Sequence, residues 1–187
     1  MTLNAVEVRV LGCLLEKQRT TPDQYPLSLN ALRLAANQTT SRDPVTQYDE
    51  AAIRRALETL GDRGWTRLAS GPGSRTAKFR HLLDEALQLT QPQLALLAVL
   101  MLRGPQTAAE LRSRSERLHA FASNEEVEAV LGELAGRELV VEGARHRWQQ
   151  LLGEGEEPAP AAAAAPDLEA RVTELERIVA ELQDRLS

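Results

Sequence analysis

Apolar residues in this chain fall at helical spacing, and then the whole set recurs. Leu3, Val8, Val10, Leu11 and Leu14 return as Leu89, Leu94, Leu96, Leu97 and Leu100, a shift of 86 residues. Ser28 and Leu32 answer to Thr107 and Leu111 at a shift of 79. Ile53, Leu57, Leu60 and Arg63 answer to Val127, Leu131, Leu134 and Arg137 at 74, and Phe79 answers to Trp148 at 69. A shift that only shrinks describes one structural unit duplicated, with residues lost from the connections of the second copy. In 187 residues this predicts two small domains of roughly three helices each.

The first copy can be traced element by element. Asn4 with Glu7 opens a helix over about 5–17, striped with Val6, Val10, Leu11 and Leu14. Pro22 and Pro26 make Thr20 to Leu27 extended, and Ser28 caps a second helix over about 29–37. A long polar connection, Gln38 to Tyr48, leads to Asp49. That residue caps a third helix, which turns Ile53, Ala56, Leu57 and Leu60 inward and ends near Arg63, before Gly64. Trp65–Ser70 and Thr76–His81 alternate on either side of Gly71-Pro72-Gly73-Ser74, the pattern of a β-hairpin.

The second copy gives the same order. Thr90 before Pro92, Thr107 with Glu110, and Ser123 with Glu126 open three helices, the last two as capping boxes. Leu139–Glu142 and Arg145–Gln150 then flank a short turn at Gly143-Ala144. Three helices followed by a hairpin is the order of a winged helix. The expected fold is therefore mainly α with small β-hairpins (α+β): two tandem winged-helix domains, 1–84 and 85–152.

Beyond residue 152 the composition changes. Residues 153–166 are acidic, alanine-rich and proline-bounded, which reads as a flexible linker. In 167–187, Leu168, Val172, Leu175, Val179, Leu182 and Leu186 alternate steps of 4 and 3, a heptad seam. It predicts a parallel homodimer in which Arg171 faces Glu176. One amphipathic helix docked on its own chain is the other reading.

Charge separates the copies. Residues 1–81 carry 12 Lys or Arg against 8 Asp or Glu, residues 82–152 carry 7 against 10, and residues 153–187 carry 3 against 9. Only the first copy attracts nucleic acid on charge alone. No apolar run reaches membrane-spanning length and the amino terminus shows no signal pattern, so a cytoplasmic location and no membrane partner are expected. The one cysteine, Cys13, reads as a core residue.

The stretches Leu14-Leu15-Glu16-Lys17-Gln18, Thr20-Thr21-Pro22, Gln24-Tyr25-Pro26-Leu27-Ser28-Leu29-Asn30 and Asn37-Gln38 with Thr40, Arg42, Pro44 and Val45 resemble the YceH-like family of bacterial proteins. The resemblance continues through Leu102-Arg103-Gly104-Pro105-Gln106-Thr107 and Glu110-Leu111-Arg112-Ser113-Arg114, covering about residues 1–152. It implies a tandem winged-helix fold and leaves the activity open, since the family's molecular function is uncharacterised. The linker and heptad tail fall outside it, which makes dimerisation through them an expectation peculiar to this chain.

Catalytic chemistry has little support. His81, His119 and His146 stand far apart with no metal-ligand spacing, Gly71-Pro72-Gly73 lacks the lysine of a phosphate loop, and no serine occupies a nucleophile elbow. No enzyme activity, metal or cofactor is expected. DNA binding is better supported, with a transcriptional regulator as the role it would serve. Arg54 and Arg55 flank the buried Ile53 on the third helix, and Arg67, Arg75, Lys78 and Arg80 gather on the wing. Asp49 and Glu50 would face phosphate unless they serve only as caps. Arg42 is a further candidate contact, within a loop where Asn37, Gln38, Thr40 and Pro44 have an unassigned role. The alternative is that Asn37 and Arg42 hold the loop against its own domain. The third helix of the second copy shows Glu125, Glu126, Glu128 and Glu133, which repel DNA and point to a protein partner. Arg112, Arg114 and Arg117 form a basic edge beside it, diluted by Glu110 and Glu116. The alternative to DNA binding is a protein-interaction scaffold built from the same surfaces and the coiled coil.

Overall fold

Asn4 begins the first helix as its spacing predicts: its side chain accepts from the Glu7 amide, and the Glu7 carboxylate accepts from the Asn4 amide. This helix, α1, spans Ala5–Thr20, three residues longer than expected, and Thr20 and Thr21 close it by hydrogen-bonding the carbonyls of Glu16 and Lys17. The computed structural model describes residues 2–70 and 76–154. Arg75, the Gly71–Ser74 turn, the linker beyond 154 and the heptad positions Leu168, Val172, Leu175, Val179, Leu182 and Leu186 lie outside the described residues.

The predicted extended stretch carries a 3-10 turn, Pro22–Gln24, before a short strand β1, Leu27–Ser28. Ser28 caps α2, Leu29–Ala36, and Asp49 caps α3, Glu50–Asp62, each accepting a bond from the amide three residues on. Strands β2, Thr66–Leu68, and β3, Lys78–His81, pair antiparallel, and β1 joins the far edge of β3, so the expected hairpin is a three-stranded sheet ordered β1-β3-β2. A short helix α4, Leu83–Leu87, follows; no periodic signal announced it, and the expected boundary at 84/85 falls inside it.

The second half comprises α5, Gln91–Arg103, α6, Ala108–Ser115, α7, Asn124–Ala135, and an antiparallel pair β4, Val140–Glu142, and β5, Trp148–Gln150. Ser123 caps α7, but the Glu126 carboxylate bonds the Ala122 amide instead of closing the expected reciprocal box. The hairpin connection is also longer than the two residues expected, running from Gly143 to Arg147 through a 3-10 turn.

The internal repeat is visible in the backbone bonding. Trp65 donates to the Leu60 carbonyl at 2.9 Å, and Leu139 donates to the Leu134 carbonyl at 3.0 Å, at the shift of 74. Just before each, the chain turns through positive φ, at Gly64 (71°) in the first copy and Glu138 (56°) in the second. Glycine adopts that conformation freely and glutamate does not. Leu27 pairs with Phe79, and at the equivalent place Gln106 bridges Trp148, so the third strand of the second copy is reduced to one bridge.

The two copies share one continuous core within a compact unit spanning residues 1–156. Its spine is α1 against α5, the most extensive helix pairing in the described residues. α5 is buried without interruption from Gln93 to Leu102, and α1 from Glu7 to Leu15. A helix apolar all round belongs in an interior. At the crossing Gly12 has no side chain to interpose: a Cβ there would meet the Met101 Cβ at 3.0 Å and Leu102 at 3.1 Å. The body runs two residues past the expected boundary at 152. Leu3 donates to the Leu152 carbonyl at 3.0 Å and Glu154 donates to the Leu3 carbonyl at 2.9 Å, clasping the two ends together.

Candidate functional site

The loop from Gln38 to Tyr48 contains no helix or strand, so its backbone must find partners elsewhere. Asn37 supplies two: its side-chain amide donates to the Tyr48 carbonyl at 2.8 Å, and its side-chain oxygen accepts from the Tyr48 amide at 2.8 Å. The Asp43 amide donates to the Leu102 carbonyl of α5 at 2.9 Å, and two buried arginines supply further partners. Arg42 has a fully buried side chain whose guanidinium donates to both oxygens of Glu16 at 3.0 and 2.7 Å, to the Gln38 side chain at 2.9 Å, and to the carbonyls of Ala35 and Ser41. Arg9 reaches from α1 to the carbonyls of Ala36 and Pro44. Together they satisfy the last carbonyls of α2 with positive charge, where the helix dipole favours it.

Arg42 is thus corrected from a DNA contact to an internal clamp, because its donors are spent on protein and its side chain is sealed from solvent. Asn37, Gln38 and Pro44 are engaged in the same lock, while Thr40 is exposed. Arg9 was missed by sequence reasoning. Its signal was available: a charge between Val8 and Val10 on a helix where both neighbours are apolar.

Electrostatics follow from this burial. Burial pushes the Glu16 carboxyl up, but hydrogen bonds and charge from Arg42 and Lys17 outweigh it and hold the group below its ordinary value. The thiol of Cys13 nearby is pushed up to about 11 by burial, so it is an inert core group. Burial also depresses His81, against the opposing charge of Asp84. The His81 ring contacts the Gln18 side-chain oxygen at 2.7 Å and accepts from the Leu83 amide, which makes it a structural residue.

The remaining cations of the first half stay at the surface. Register pairs Arg67 with Arg80 and Ser28 with Lys78, so Arg67, Lys78 and Arg80 share the outer face of the sheet, opposite Thr66, Phe79 and His81. Arg80 is tied to Glu85 at 3.0 Å. On α3, Arg54 and Arg55 are exposed beside the buried Ile53, and Arg54 pairs with Glu50 at 3.0 Å. Asp49 is occupied as a cap and Glu50 by Arg54, so the two carboxylates that opposed an anionic partner both have internal roles. Among the described residues, the side chains of Arg55, Arg67 and Lys78 have no hydrogen-bonding or charged partner.

In the second half Glu126 and Glu133 are engaged, Glu133 with the Gln93 amide at 2.9 Å, while Glu125 and Glu128 are exposed. Glu128, Glu142, His146 and Trp148 line an open groove of about 430 Å³, with His146 2.8 Å from Glu142. His119 stacks edge-on against Phe121. Among the described residues no cluster of His, Cys, Asp or Glu could hold a metal, and no helix is long and apolar enough to cross a membrane.

Comparison with known proteins gives these features a family. Residues 3–148 match the model of a protein family of unknown function, DUF480. A UPF0502 protein of Dechloromonas aromatica is 51% identical over 199 aligned residues, covering 97% of this chain and 92% of the relative. One from Shewanella sp. (strain MR-4) is 44% identical, covering 100% and 96%, and one from Geotalea daltonii is 49% identical, covering 95% and 86%. The alignment with the Shewanella relative extends through residues 153–187, whereas the family model stops at 148. Family match, full-length relatives and the residues quoted above agree: the chain belongs to the DUF480 (UPF0502) family of bacterial proteins, the family to which the YceH-like naming applies.

Proposed function

We propose that this protein binds duplex DNA as a tandem winged-helix protein, without catalytic activity, through α3 and the β2–β3 strands of its first half. The observation that carries this reading is the set of exposed cations without protein partners, Arg55, Arg67 and Lys78, on the half whose charge is net positive. Such side chains neutralise phosphates at little desolvation cost, and an arginine guanidinium has the donors to read a guanine edge. The heptad tail would join two such surfaces in a dimer.

Titration of duplex DNA into the full chain across salt concentrations tests it. Binding should weaken steeply with salt, and Arg55→Ala/Arg67→Ala/Lys78→Ala should flatten the log–log slope by roughly one unit per lost phosphate contact. Absence of affinity at low salt sinks the proposal. A protein-interaction role is favoured by one feature, the groove of Glu128, Glu142, His146 and Trp148, whose carboxylates and aromatic ring suit a basic segment of a partner. Partners that survive nuclease treatment during purification from the native cell would support that role instead.

A further inference from the structure

Stretches from both halves that carry the family resemblance meet at one place. Glu16 and Thr20 on the last turns of α1, Ser41 on the long loop, Arg103 at the end of α5, Arg114 on the last turn of α6 and Arg117 in the turn after it line a cavity of about 60 Å³ with an apolar floor from α5. That volume takes a few waters or one small group, far below the roughly 300 Å³ at which cofactor and drug-sized pockets begin.

Its charge is unbalanced. The Glu16 carboxylate is already bonded twice by Arg42 and lies 3.4 Å from the Lys17 ammonium. Arg114 donates to the Gln106 side chain at 2.7 Å and sits 3.5 Å from Glu110, a carboxylate that Arg147 holds at 2.9 Å. Arg103 and Arg117 have neither a hydrogen-bond nor an ion-pair partner for their guanidiniums among the described residues, and the Ser41 hydroxyl has none either. Burial first, then the charges of Arg114 and Arg42, push the Arg103 pKa below its ordinary value against the pull of Glu16 and Asp43, as expected where positive charge is in excess.

We propose that this seam cavity binds a phosphate-type oxyanion, held by Arg103 and Arg117 with Arg114 and the Ser41 hydroxyl. Guanidinium forks match the oxygens of such an anion, and the fit is bidentate. The bound anion bridges the long loop of the first half to α5 and α6 of the second. None of Arg55, Arg67 and Lys78 lines the cavity, so its residues are distinct from those of the duplex-binding surface proposed above. Two sources offer the same chemistry, a free phosphate and a backbone phosphate of a nucleic acid.

The test titrates inorganic phosphate into the full chain by calorimetry, with thermal unfolding in phosphate compared against chloride at equal ionic strength. The expected result is saturable binding of one phosphate per chain. The melting temperature should rise by about 3–5 °C at tenfold excess over Kd. Both effects should vanish in Arg103→Gln/Arg117→Gln and persist in Arg55→Gln/Arg67→Gln. Arg117→Gln alone, on an exposed side chain, should weaken phosphate at least severalfold without changing the melting temperature in chloride, which separates a binding loss from a folding loss. Adding a short duplex identifies the source. Displacement of phosphate by the duplex assigns the site to backbone phosphate, and undisturbed phosphate binding assigns it to a free anion. No saturable phosphate binding, or equal binding by the Arg103/Arg117 double variant, overturns the proposal. Loss of duplex affinity with phosphate binding intact would defeat only the DNA reading.

Discussion

Arg42 and Glu16 show how much rests on one buried charge pair. The arginine is fully enclosed, and its removal would leave the carbonyls of Ala35 and Ser41 without that donor, and a mostly buried Glu16 carboxylate and the Gln38 side chain with Lys17 alone. Breaking a buried pair costs about 3–5 kcal/mol where the partner charge is left uncompensated, and the Lys17 ammonium 3.4 Å from Glu16 offsets part of this, which puts the cost near the lower end. Arg42→Ala should therefore lower unfolding stability by about that much at pH 7. The pH dependence has a definite sign. Glu16 is held below its ordinary value of 4.5 in the folded state, so its stabilisation is fully present above that pH and is lost as pH falls through the lowered value. In Arg42→Ala the carboxyl has lost its clamp and protonates readily, so the gap between variant and wild type should narrow below pH 4.5. Denaturant unfolding at pH 7 and pH 4 measures both; a gap unchanged with pH would mean that Arg42 acts through packing alone.

At the scale of elements, two glycines in helices should respond oppositely to the same substitution. Gly12 lies where α1 crosses α5, and a Cβ there meets the Met101 Cβ at 3.0 Å, an atom fixed to the backbone. Overpacking of this kind costs about 1–3 kcal/mol, and the better helix propensity of alanine returns about 1. Gly12→Ala should thus destabilise by about 1 kcal/mol. Gly132 in α7 has no atom within 4 Å of an added Cβ, so Gly132→Ala should gain up to about 1 kcal/mol. Thermal melts of the two variants decide it. Shifts of the same sign would show that propensity dominates and that the helix crossing yields easily.

Over the whole molecule, the decisive contact is between the copies. α1 has two apolar sides. Val10, Leu11 and Leu14 make the stripe that sequence shows, while Val8, Gly12 and Leu15 form a second, on which Gly153, Met101, Leu102, Leu94 and Ala95 close. Cutting the chain between the halves would return these side chains to water at about 1.5–3 kcal/mol each, which is comparable with the 5–15 kcal/mol that a domain possesses. A fragment of residues 1–88 should therefore show no cooperative thermal transition as a monomer, where the full chain shows one for its shared core. Circular dichroism with sedimentation checks this. An equally sharp monomeric transition in the fragment would establish the halves as independent domains.

Much of this was legible in the sequence. The period of apolar residues, the caps Asn4, Ser28, Asp49, Thr107 and Ser123, and the echoed spacings determined the helices, their order and the duplication, because these depend on neighbours within a few residues. Local spacing said nothing about what would cover the second face of α1, how β1 would join a hairpin fifty residues away, or that Leu3 would bond with Leu152 and Glu154. The candidate site divided in the same way. Arg54, Arg55, Arg67 and Lys78 stayed exposed as their positions suggested, whereas Arg42 took its role from Glu16, a residue distant in sequence. The sign of a charge is written in the sequence. Whether that charge is spent on protein or free for a ligand depends on which long-range partners the tertiary structure brings within about 3 Å, since hydrogen bonds and desolvation act only at contact.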